Sequence, residues 1–257
     1  MCWSGEASYA LAAAGLAATG YAAWKKDSPL LWLPLMYFSG MELLQGYTYS
    51  VIDQCGLGAN RFATLLSYLH IAFQPFFGAM MALYFVPAAV RRLAWPICLA
   101  ACSISAAVMI VQLQPLEAAG LCTPGRLLCG PQMCSVTGNW HIAWQVPVNG
   151  MFEGMAAASQ GWPWHRLFAD AFPTYPIAMF LVPFLLGSWK LVIYHLLMGP
   201  VLARLTTSNP NEIPAVWCLL SIGFLMIAIK TPVRRYLQVE SWPLWRIWPG
   251  LSGARAA

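Results

Sequence analysis

Residues 139–160, NWHIAWQVPVNGMFEGMAAASQ, decide how many times this chain would cross a bilayer. The run approaches the roughly 20 residues that a spanning helix needs. Within it His141, Gln145, Asn149 and Glu153 follow a strict four-residue step, which on a helix puts them on one face. Such groups are costly against lipid, so on a spanning helix they would face the interior of a bundle. If the run is a span, the basic groups after it fall on the inner side. If it is not, Lys230, Arg234 and Arg235 move outside.

Six other apolar runs can be drawn outward from this one, at 5–24, 30–51, 62–88, 93–113, 173–203 and 213–230. The fold expected is all-α, a polytopic membrane bundle of about seven transmembrane helices forming one domain over 1–257, with the N-terminus outside and the C-terminus inside. Composition agrees with a membrane setting: 60% of residues are hydrophobic and 9% charged, against about 25% charged in a soluble domain. Mean hydropathy is +0.61, and the 13 Trp and 10 Tyr suit interfacial belts. The formal charge of +5 lies in short clusters between apolar runs, which argues against nucleic acid as a partner. In the seven-span reading Lys25, Lys26, Arg91, Arg92, Arg166, Lys230, Arg234 and Arg235 face inside, and Arg61, Arg126 and Arg204 outside, as the positive-inside rule requires. The N-terminus has no basic n-region, so the first run reads as a retained helix. Pro173, Pro176, Pro183 and Pro200 predict a kinked sixth run. Trp242, Trp245 and Trp248 make 236–257 an interfacial tail.

The loop 114–138 is rich in turn formers and cysteine. With Cys2 and Cys55 it puts Cys122, Cys129 and Cys134 on the outer, oxidising side, where disulfides are expected among Cys55, Cys122, Cys129 and Cys134. The pairing stays open, and a thiolate metal site lacks the usual CxxC spacing. Cys98, Cys102 and Cys218 fall inside apolar runs and read as packing residues.

Polar residues recur at helical spacing elsewhere too: Glu42, Gln45 and Tyr49; Ser67, His70 and Gln74; Lys190, Tyr194 and His195. His70-Ile71-Ala72-Phe73-Gln74 is echoed by His141-Ile142-Ala143-Trp144-Gln145, which suggests two parallel helices flanking one ligand. His70, His141 and His195 are then candidate metal ligands for zinc, iron or copper, with haem as a further option. Glu42 and Ser67 are the candidate catalytic groups, and Gln45, Gln74, Gln145, Asn149, Glu153 and Lys190 line a candidate polar path. Asn209-Pro210-Asn211-Glu212-Ile213-Pro214 reads as a capped helix start, and Asp53-Gln54-Cys55-Gly56 as a turn. No Walker A, dinucleotide, HExxH or GxSxG signature is present.

Met1-Cys2-Trp3-Ser4, SYLHIAFQ at 67–74, WHIAWQVP at 140–147 and NPNEIP at 209–214 resemble a family of uncharacterised bacterial multi-pass membrane proteins. That resemblance implies a bacterial inner-membrane location and no particular activity. A looser similarity, of residue types alone, links Ser67, His70, His141, His195 and Glu42 to seven-helix hydrolases of the alkaline ceramidase and adiponectin-receptor type. The paired HxxxH of their last span is missing here. Three functions follow as expectations. The first is a metal-centred membrane protein with a His/carboxylate site in its outer half. The second is a carrier or channel for a small solute, ion or proton. The third is an assembly subunit of an oligomer or larger membrane complex.

Overall fold

Ser4 and Ser28 begin the first two helices, each side chain accepting a backbone N–H of the opening turn, and Pro29 sits where its missing N–H costs nothing. These helices are α1 (Gly5–Trp24) and α2 (Pro29–Tyr49), followed by α3 (Gly58–Tyr84) and α4 (Ala88–Gln112). The computed structural model describes residues 3–158, 161 and 172–247, excepting the side chains of 156 and 224–230. The four helices pack in chain order, each against the next. The first four expected runs are therefore helical, with ends displaced by a few residues.

Residues 139–160 do not form a spanning helix. Ile142–Gln145 is a strand, β2, paired antiparallel with β1 (Cys134–Thr137), and only α5 (Glu153–Ala158) is helical. The reason is local and tertiary at once. Pro147 has no N–H to give and its ring would clash with the carbonyl four residues back, while the branched Val146 and Val148 favour extended backbone. The amides are instead satisfied sideways: Trp144 N–H to Asn211 O (2.9 Å), Val146 N–H to Leu128 O (2.8 Å) and Cys122 N–H to Val148 O (2.9 Å). The four-residue step of His141, Gln145, Asn149 and Glu153 is thus no helical stripe, and the two HIA(F/W)Q motifs are a helix in α3 and a strand in β2.

The sixth run is also not one helix. It forms α6 (Thr174–Leu185), with a π-turn at Ile177–Leu181, then breaks at Gly187, whose φ is +104°. It resumes as α7 (Trp189–Leu196), which continues through a second π-turn, Leu197–Val201, to Thr206. Then come α8 (Ile213–Lys230), which packs on α1 and α2, and the short α9 (Val233–Leu237). Among the described residues, two helices are long and apolar enough to cross a membrane, α3 and α4. The seven-helix transmembrane bundle is not the architecture the chain adopts.

The two ends of the helical body differ in chemistry. At one, Cys55–Cys134 and Cys122–Cys129 are disulfides, tying β1 to the α2–α3 loop and closing the Cys-rich loop. These are the four cysteines expected, and they mark this end as suited to an oxidising compartment. Asn60, at the start of α3, mimics a strand neighbour. Its carboxamide donates to Val51 O (2.8 Å) and Ser135 O (2.9 Å) and accepts from Ser135 N–H (2.9 Å). At the other end Arg234 pairs with Asp27 (3.2 Å) and with the Tyr84 hydroxyl, and Arg91 donates to the Leu83 carbonyl (2.8 Å). Cys98, Cys102 and Cys218 are buried free thiols, as expected of packing residues.

The tail packs on protein rather than lying apart. Val239 N–H donates to Phe85 O, and the indoles of Trp242 and Trp245 donate to Leu185 O and Leu186 O. Cys2, His165, Arg166 and Trp248 lie outside the described residues.

Candidate functional site

The turn between β1 and β2 is built around a carboxylate. Glu212, fully buried, receives the backbone N–H of Trp140 (2.5 Å) and of His141 on one oxygen. Asn139 N–H (3.2 Å) and the Thr207 hydroxyl (2.5 Å) reach its other oxygen. Four donors on one carboxylate replace the water that an ionised acid loses on burial. Gly138 is required here, because a Cβ would stand 2.5 Å from His141 O and 2.8 Å from Glu212 Cδ. Asn209 shapes the approach, its side chain accepting Asn211 N–H (3.1 Å). NPNEIP is therefore a helix start, as expected, but its acid serves a strand turn across the fold.

Held in this way, His141 turns its ring inward with no exposure. Its Nδ1 accepts Ile142 N–H (2.7 Å), so Nδ1 carries no proton, and the Tyr49 hydroxyl at 3.1 Å acts as a second donor to it. The proton is then on Nε2, which is buried and has no partner. Burial also pushes the imidazole pKa down to about 3 from its ordinary value near 6.5, so His141 is a neutral donor. Trp3 covers it: its N–H donates to Trp140 O (3.1 Å) and its ring stacks at 6.0 Å on both Trp140 and His141. The Trp3 indole N–H donates to Ser8 Oγ (2.8 Å), and Ser8 lies beside the Glu42 carboxylate.

Below Tyr49 on the same face of α2 come Gln45 and Glu42, about 10 Å down the helix. Both are fully buried. Glu42 has only the Ser8 hydroxyl beside it, and neither the oxygen nor the nitrogen of the Gln45 side chain has a hydrogen-bond partner. The Tyr49 hydroxyl lies within electrostatic reach of both Glu42 and Glu212. Glu42, Gln45 and Tyr49 thus share one face of α2, with Ser8 beside Glu42 and His141 beside Tyr49.

The other expected site residues lie elsewhere. His70 stacks on Tyr37 (3.8 Å), and His195 accepts the Trp217 indole N–H through Nε2 (3.2 Å). The three histidines have separate surroundings, and among the described residues no three His, Cys, Asp or Glu side chains are grouped to hold a metal ion. Ser67 donates to Ala63 O of its own helix (2.9 Å), the ordinary use of a helical serine. Gln74 accepts from the Tyr175 hydroxyl (2.6 Å) and faces Cys218. Gln145 is part of β2, and Asn149 closes the end of α4 by donating to Val111 O (3.0 Å) and Gln114 O (2.9 Å). Glu153 pairs with Arg126 (3.3 Å) at the disulfide end, whereas Lys190 donates to Gln238 O (2.7 Å) beside α9. Glu153 and Lys190, both expected on one polar path, thus bind different partners at different places in the fold. Trp3 and Glu212 stand inside the quoted motifs MCWS and NPNEIP, whereas Ser8 lies unmarked within an apolar run.

These features define a mostly helical protein with a disulfide-tied cap over buried polar side chains. The chain belongs to a family of unknown function, DUF5765, whose model matches residues 6–238. No curated protein and no solved structure matches it.

Proposed function

We propose that this chain is a membrane protein that binds a small hydrogen-bonding solute, neutral or cationic, between Glu42, Gln45 and His141, and carries it between the cap and the helical body. One observation carries the reading: Gln45 Oε1 and Nε2 and His141 Nε2 are buried with no partner, and the buried Glu42 carboxyl has only the neighbouring Ser8 hydroxyl beside it. Leaving such groups unpaired costs on the order of 1–3 kcal/mol each, and more for a charged one. A folded chain keeps them together when something else satisfies them. Glu42 offers a carboxyl group that accepts and, when protonated, also donates, Gln45 one group of each kind and His141 a donor.

The membrane setting is supported by α3 and α4, and by Ile97, Ile104 and Val111, which all face outward on α4. Disulfides at one end and basic residues at the other fit opposite sides of a bilayer. The test is thermal unfolding of the purified protein against a panel of monovalent cations and small amines. At least one is expected to raise the midpoint of the parent, as any ligand of the native state does, and to leave Glu42→Gln unmoved. If no probe stabilises the parent, or Glu42→Gln responds equally, the cluster is not a solute site.

A further inference from the structure

A cavity of about 770 Å³ lies between α2, α3 and α4, open on one side. We propose that it binds a lipid-soluble molecule with a flat ring bearing a carbonyl acceptor, a quinone in chemical class, with the ring against His70. The proposal is independent of the solute path at Glu42.

The wall is almost entirely apolar and strongly aromatic: Tyr37, Phe73, Phe76, Phe77 and Trp95 line it. Aromatic faces favour a flat ring through stacked or edge-on contacts, which a bare acyl chain does not need. Within the wall, Tyr37 is sandwiched between Phe77 (3.7 Å) and His70 (3.8 Å), so the imidazole is fixed in place. The Tyr37 hydroxyl is already engaged with the His70 carbonyl (2.6 Å), and the thiols of Cys98 and Cys102 are weak donors. That leaves the His70 imidazole and the Trp95 indole N–H as the stronger hydrogen-bonding groups in the lining, and His70 Nε2 is buried with no partner. A ring carbonyl that accepts from this imidazole supplies what the wall lacks.

Size and position fit the same occupant. The volume lies within the usual range for small-molecule sites, with room for a ring and part of a chain. Phe73 and Leu99 line it while remaining 40% and 37% exposed. They sit on α3 and α4, the two helices long and apolar enough to cross a membrane, so an occupant can enter from the lipid phase.

The experiment is equilibrium binding of decylubiquinone to the purified protein in detergent, with decylbenzene and laurate as probes lacking the quinone ring. Saturable binding at one quinone per chain is expected, weakened about tenfold by His70→Leu, as loss of one hydrogen bond implies. Leu99→Trp, which fills the cavity without touching His70, should weaken it as well, and it keeps the test sound if the histidine variant folds poorly. Equal affinity for decylbenzene or laurate, unchanged binding in both variants, or no saturable binding would each overturn the proposal.

Discussion

Glu212 holds His141 by its backbone N–H, across a separation of 71 residues. The ring of His141 is thereby aimed without being touched by the acid, leaving Nδ1 to Tyr49 and the Ile142 amide. One carboxylate thus sets the turn and the strand entry, while the Ile142 amide fixes the tautomer of the histidine below it.

Replacing that acid tests the arrangement directly. Glu212→Gln keeps the shape but turns an amide NH₂ toward backbone donors and removes the charge from four hydrogen bonds. A loss of about 3 kcal/mol or more is expected, since hydrogen bonds to charged groups each contribute about 1.5–3. Chemical denaturation of the purified protein reads it. A variant as stable as the parent would mean that the carboxylate does not organise the turn.

The two disulfides should differ in weight. Cys55–Cys134 closes a separation of 79 residues and Cys122–Cys129 one of 7. In the chain-entropy account, losing the first costs about 4.5 kcal/mol and losing the second about 2.5. Paired Cys→Ala variants, compared by unfolding midpoints, should follow that order. The reverse order would point to native-state packing as the larger effect.

Stability should fall with acid, in part through His141. Its pKa is pushed down to about 3 by burial, while in the unfolded chain it titrates near 6.5. Between those values the unfolded state binds the extra proton, so stability drops as pH falls, by up to about 1.4 kcal/mol per pH unit from this group. Above the unfolded value the contribution is flat. Melting curves from pH 7.5 to 4.5 should therefore be less steep for His141→Gln than for the parent, and identical slopes would contradict a neutral buried imidazole.

Trp3 is expected to matter as a cover rather than as a cap residue alone. Trp3→Phe keeps a ring over His141 and loses the bond to Ser8, at a cost of about 1 kcal/mol. Trp3→Ala removes the ring as well and should cost about 3 kcal/mol. Equal, small effects in the two variants would show that the N-terminal segment is not part of the site.

The sidedness of the protein can be read by labelling. Glu117 is exposed near the Cys-rich loop and Lys25 ends α1 at the basic end. In intact cells a membrane-impermeant maleimide should label Glu117→Cys above the parent background and leave Lys25→Cys unlabelled until the membrane is opened. Labelling of both in intact cells would remove the bilayer from between them.

Composition and spacing by themselves determined that α1 to α4 are helices of this length, that Cys55, Cys122, Cys129 and Cys134 are disulfide cysteines, and that Glu42 and Gln45 share a buried face. These are local properties: apolar runs, proline and serine at helix starts, and the three- and four-residue period of a helix. Only the tertiary structure decided the fate of residues 139–158 and which side chains meet at the turn between β1 and β2. HIAFQ at 70–74 and HIAWQ at 141–145 have nearly the same intrinsic preferences, yet one lies within a long helix and the other is held extended by Asn211, Leu128 and a disulfide-tied partner strand. Helical periodicity cannot register hydrogen bonds to partners far along the chain. For the same reason Glu212, read as a helix start, proved to belong to His141, while the three histidines that share a residue type share no site.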